Sequence, residues 1–142
     1  MELFPILKYI HIIAACLWIG GNAATTLWLA RIGRETDSNA VRAWLSPLGS
    51  VGRYISGPSA AVSLLSGGAI VGLYHIGEGA LWVTWGLAGI LLSWLLGAFV
   101  IGREIRAVAT GASTNLTRLT GLNLLNLAIL LSVVWAMVAK PA

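Results

Sequence analysis

Charged side chains in this chain are gathered into a few short segments. Between them run four stretches with no Asp, Glu, Lys or Arg, at residues 9–30, 54–77, 79–102 and 119–139. Each is close to the roughly 20 residues that an α-helix needs to cross about 30 Å of hydrocarbon at about 1.5 Å per residue. The pattern predicts an all-α fold, an integral membrane four-helix bundle filling one domain, residues 1–142, with helices over about 4–31, 54–76, 79–105 and 117–139. No internal repeat or low-complexity segment interrupts it.

The connections carry weaker signals. In the first, Asp37, Ser38 and Asn39 offer N-caps for the run AVRAWL, in which Val41, Trp44 and Leu45 share one face and Arg42 another. A short interfacial helix is expected there, on the cytoplasmic side, ended by Pro47 and Gly49. Gly57 and Pro58 then open the second membrane helix, where proline is tolerated in the first turn. The third connection prolongs its helix briefly and turns near Gly111.

Composition agrees with the membrane reading. The chain is 58% hydrophobic and 10% charged, with a mean hydropathy of +0.86, too apolar for a domain that must show water a polar surface. The first stretch is longer than the apolar core of a signal peptide and has no small-residue cleavage site, so it reads as a mature helix.

Charge sets the expected orientation. Arg31, Arg34, Arg42 and Arg53 lie in the first connection and Arg103, Arg106 and Arg118 in the third, seven of the nine basic residues. The positive-inside rule then puts those loops in the cytoplasm and both termini outside it, in a cell's inner (plasma) membrane of bacterial type. Lys8 and Lys140 are the outward exceptions. The pI of about 9.9 reflects this topology and contact with the anionic lipid bilayer, not nucleic acid, since no aromatic-basic interleaving of the strand-binding kind is present.

Small residues recur four apart: Cys16, Gly20 and Ala24 on the first helix, Ser63 and Gly67, then Gly68 and Gly72, on the second, and Gly89, Ser93 and Gly97 on the third. Such stripes let helices approach closely, and packing within the bundle is their expected use. Pairing with a second copy or another membrane partner is the alternative. The lone Cys16 cannot form an internal disulfide and is expected to pack between helices.

Polar residues inside the spans are more selective. Lys8, His11, Ala15, Trp18 and Asn22 share one face of the first helix, and Asn123 and Asn126 share one of the last. Interhelical hydrogen bonds are expected for the three asparagines. His11 is the most informative residue, because an imidazole in hydrocarbon is costly without a partner to bond or ligate. It lies about 10 Å below Phe4, with Lys8 one turn nearer the terminus. His75 closes the second helix on the same side. One or both histidines could ligate a haem iron, with Lys8 or Lys140 near a propionate, although His75 beside Gly77 and Glu78 reads more simply as solvated.

Other chemistries have less support. A copper pathway wants several imidazole or sulfur ligands at helical spacing, and His11, His75, Cys16, Met1 and Met137 form no paired motif. No Asp or Glu lies within a span to act as a base, which counts against hydrolytic or nucleophilic catalysis and against proton-coupled transport.

These residues carry a resemblance. KYIHIIAACLWIGG, with Lys8 three before His11 and Trp18 seven after it, resembles the first helix of HemJ-type membrane proteins and of the related CopD-like and uncharacterised four-helix families. GPSAAVSLLSGGAIVGLY, with Pro58 and Gly67, is similar to their second helix, and Asn123 with the closing Lys140 and Pro141 to their last helix and tail. The resemblance implies haem b, with His11 as the iron ligand and Lys8 beside it, and porphyrinogen oxidation as the family activity. The chain departs from the HemJ pattern where a Pro-Arg pair is replaced by Thr26 and Leu27, where TWGLAG after Trp82 lacks a lysine, and where Asn-Glu-x-Pro becomes NLLN. These departures make it most similar to the uncharacterised branch. Three functions remain: a haem-binding protein with a redox or haem-handling role, a membrane subunit or scaffold without a cofactor, and a copper-related membrane protein.

Overall fold

The computed structural model describes residues 3–112 and 115–140. Met1, Pro141 and Ala142 lie outside the described residues, and with them the copper and tail readings placed on Met1 and Pro141. Six α-helices follow one another: α1 (Leu3–Ile32), α2 (Ser38–Val51), α3 (Gly57–Tyr74), α4 (Leu81–Leu95), α5 (Gly102–Ala109) and α6 (Leu116–Ala139). Wide π-type turns at Gly52–Ser56 and Leu96–Ile101 join α2 to α3 and α4 to α5. Four continuous rods result, each long and apolar enough to cross a membrane.

The rods form a closed ring in which α1 packs on α3 and α6, and α4 packs on α6 and α3. Neighbours run antiparallel, as contacts at both ends show. At the termini end, Phe4 meets Tyr74 edge-on at 5.0 Å, and Lys140 lies over the Trp82 ring. At the arginine-rich end, Trp28 meets Trp44 at 5.4 Å, and Arg118 pairs with Glu104 at 3.4 Å. The outward surface carries leucine, phenylalanine and valine, with Leu27, Leu65, Phe99 and Val138 among its most exposed side chains. Water would not tolerate so large an apolar surface, whereas lipid tails do.

The first connection differs from expectation. Asp37 caps α2 by accepting from the Asn39 N–H at 2.9 Å, but the helix does not stop at Pro47 and Gly49; it runs through both to Val51. A mid-helix proline costs about 3 kcal/mol and a glycine about 1. Burial of Leu45 and Leu48, at about 1.5–3 kcal/mol each, is of the size needed to offset this. Of the residues expected to share one face, Leu45 is buried and Trp44 is half exposed. The second membrane rod therefore begins inside the first connection and runs through the π turn, where the Gly57 N–H reaches back to Gly52 O. Pro58 follows at once, in the first turn of α3.

Two apolar cores are stacked along the bundle. One, at the arginine-rich end, joins Leu29, Ile32, Leu45, Leu48, Ile101, Ile105, Val108 and Leu119, so that α2 and α5 cap the ends of α1 and α6. The other joins Trp18, Ala60, Ile90, Leu130 and Val133 across the ring.

The small-residue stripes divide. On α4, Gly89 receives the Val133 side chain, Gly86 that of Met137, and Ser93 is fully buried. On α3, Gly67 receives the His11 ring. Cys16 is exposed, Gly20 and Ala24 beside it are also exposed, and Gly68 and Gly72 face open space. The expectation that Cys16 and its stripe pack inside the bundle is therefore corrected: Trp18, Asn22 and Thr25 turn α1 inward along another line, which leaves Cys16 on the opposite side.

Candidate functional site

His11 projects from α1, half-buried, against α3. Its Nδ1 lies 2.9 Å from Ser63 O and 3.2 Å from Ser66 Oγ. A carbonyl oxygen only accepts, so Nδ1 is the donor to Ser63 O, and in the neutral tautomer with this bond the lone pair is on Nε2. Ser66 Oγ directs its own hydrogen to Val62 O at 2.6 Å, which leaves a lone pair facing the same Nδ1–H. Gly67 makes the approach possible: a Cβ there would stand 2.9 Å from His11 Cε1. Nε2 has no protein partner among the described residues and is not sealed off from the surface.

The arrangement holds one imidazole nitrogen fixed and leaves the other open. Metal-ligating histidines have this form, since the bond at one nitrogen sets the tautomer and ring orientation at the other. An open imidazole nitrogen can equally accept a hydrogen bond from a hydroxyl.

The other residues singled out in the sequence lie apart from it. Lys8 is exposed one turn nearer the terminus. His75 ends α3 in the left-handed conformation, with φ 50°, and its Nδ1 pairs with Glu78 Oε1 at 2.6 Å, both side chains well exposed. It stands eight residues, about 12 Å along α3, beyond Gly67, so the fold does not bring the two histidines together. Among the described residues no three His, Cys, Asp or Glu side chains gather as a metal group.

Trp18, Asn22, Asn123 and Asn126 do meet, in the bundle centre. Ser93 Oγ donates to Asn126 Oδ1 at 2.6 Å, and Asn126 Nδ2 to Asn22 Oδ1 at 2.8 Å. Asn22 Nδ2 returns to Trp18 O at 3.1 Å. Asn123 Nδ2 reaches Thr26 Oγ1 at 2.6 Å and Asn22 O at 3.2 Å. Three rods, α1, α4 and α6, are tied by buried amides and hydroxyls, and among the described residues no buried side-chain polar atom is left without a partner. Such a network rigidifies the bundle.

Sequence reasoning did not assign Ser63, Ser66 or Gly67 to His11, nor Thr26 and Ser93 to the asparagines. The signal available was weak, a Ser-x-x-Ser-Gly run at 63–67 with Ser63 and Gly67 four apart on one helix face.

A family model described as "Predicted integral membrane protein (DUF2269)" matches residues 5–141. Neither the curated proteins nor the solved structures contain a match. The chain belongs to this family of predicted integral membrane proteins.

Proposed function

We propose that the protein binds haem b through His11 and serves a redox or haem-handling role in the membrane. The observation that carries this reading is the pairing of His11 Nδ1 with Ser63 O, which leaves Nε2 open. The donor set fits an axial ligand: a neutral imidazole, oriented by a backbone carbonyl. Lys8, on the exposed side of α1, is the cation suited to a propionate. Haem bound there would supply one-electron chemistry. This chain's residues hold the ring, fix its tautomer and keep the open nitrogen on the termini side of the bundle. The likeness of the KYIHIIAACLWIGG helix to HemJ-type and CopD-like proteins points the same way.

Arginine placement supports an inner-membrane location with both termini outside the cytoplasm, so that His11 lies toward the outer face. The exposed stripe of Cys16, Gly20 and Ala24 suits close approach of a second copy or another membrane subunit.

The test is a visible spectrum of detergent-purified protein made with ample haem. Wild type should show a Soret band and a dithionite-reducible α band. His11→Gln, which keeps polarity and size, should lose both yet still insert and purify, and His75→Ala should keep them. Equal colourlessness of wild type and His11→Gln would overturn the reading.

A second reading is a cofactor-free scaffold, favoured by the buried Asn–Ser–Thr network inside the bundle. His11 would then only tie α1 to α3. Under that reading His11→Gln is mild, because an amide can still bond across helices at about 1 kcal/mol.

A further inference from the structure

On the face of the bundle made by α4 and α6 lies a groove of about 440 Å³ lined by Leu81, Trp82, Trp85, Ala88, Ser132 and Trp135. Its size falls within the roughly 300–1,000 Å³ of small-molecule sites. The floor is preformed: Trp85 Nε1 donates to Ser132 Oγ at 3.2 Å, and Ser132 Oγ donates to Ile129 O at 2.7 Å. With those groups engaged, the floor offers an occupant apolar contact only.

The rim is different. Lys140 Nζ stands 5.6 Å from the centre of the Trp82 ring, held by the left-handed cap that ends α6. Trp82 is wedged from below by Gly77, whose φ of 69° and missing side chain let the indole sit against the turn. Lys140 has no carboxylate partner among the described residues. Of the four acids among the described residues, Glu35, Asp37 and Glu104 belong to the opposite end of the bundle, and Glu78 is taken by His75. The α4 and α6 helices that line the groove carry no acid, so these helices of a second copy packed face to face would bring no carboxylate to this cation.

We infer that the α4–α6 groove is a binding site for an anionic phospholipid, with an acyl chain along Trp82, Trp85 and Trp135 and the headgroup phosphate on Lys140. Tryptophans at this level suit the boundary between headgroups and chains. A zwitterionic lipid fills the same groove but gains less from the lysine, because one basic residue near the headgroups favours net negative charge by about fivefold in affinity. This site is independent of His11, which lies on α1 and α3.

The experiment uses full-length protein in phosphatidylcholine nanodiscs, in a Trp28→Phe/Trp44→Phe/Trp94→Phe background that removes the exposed tryptophans outside the groove. Increasing fractions of dibrominated phosphatidylglycerol or dibrominated phosphatidylcholine are added, since bromine on the chain quenches nearby indoles. Phosphatidylglycerol should quench at about fivefold lower mole fraction than phosphatidylcholine. Lys140→Gln should abolish that preference, and Ala88→Leu, which fills the exposed groove, should reduce quenching by both lipids. Equal quenching by the two lipids in the Lys140-bearing protein would overturn the proposal, as would a preference that survives Lys140→Gln. So would a dimer, seen by mass photometry, that Ala88→Leu dissociates, because a second copy would then cover the groove.

Discussion

His11 and Gly67 form a lock at the scale of single residues. The imidazole occupies the volume in which a Cβ at position 67 would sit, so Gly67→Ala should push the ring away and weaken its bond to Ser63 O. Overpacking of this kind costs about 1–3 kcal/mol. The cost should fall to near zero in a His11→Ala background, and a double-mutant cycle on thermal stability in detergent would measure the coupling. Additive effects would show that the contact carries no energy. In the bundle centre, Asn126→Leu strands Asn22 Oδ1 and the Ser93 hydroxyl together. A loss of about 1–3 kcal/mol is expected, against less for Ser132→Ala on the half-buried outer side of α6. Retention of full stability in Asn126→Leu would mean that the network is dispensable.

Among the elements, α2 is the one whose role the fold changes most. It is a cap, held by Leu45 and Leu48 in a core shared with α5 and with the ends of α1 and α6. Leu45 is completely buried, so Leu45→Ala should cost about 2–5 kcal/mol. Trp44→Ala should cost about 0.5–1.5 kcal/mol, since it removes an edge contact with Trp28 but keeps the backbone carbonyl that accepts from Trp28 Nε1 at 3.2 Å. Thermal unfolding, with limited proteolysis in the first connection as a local readout, separates the two. Similar shifts for both variants would mean that α2 rests on the membrane surface and not on the bundle.

For the whole molecule, orientation is the property with the clearest consequence. All seven arginines are carried by the first and third connections and the helix ends beside them, at one end of the bundle. Alkaline phosphatase fused after Ala142 should be active, and a fusion at the Gly111 turn should be inactive. The opposite pattern would invert the molecule and put His11 and the tryptophan groove toward the cytoplasm.

The sequence alone determined the number of rods and their antiparallel order, because crossing hydrocarbon requires about 20 uncharged residues and leaves the backbone little choice but a helix. It also marked Asn22, Asn123, Asn126 and His11 as residues in need of partners, since bare polar groups are costly in lipid. It could not say which partners. Periodicity fixes the face of a helix on which a residue lies, but the rotation of one rod against the next depends on how side chains fit across the whole ring. That fit turned Cys16 outward, seated His11 on Gly67, and set Lys140 over Trp82. Pro47 and Gly49 likewise signalled a stop that local rules favour, and the tertiary structure overrode it because the leucines around Pro47 are buried by α5 and the ends of two rods far away in sequence.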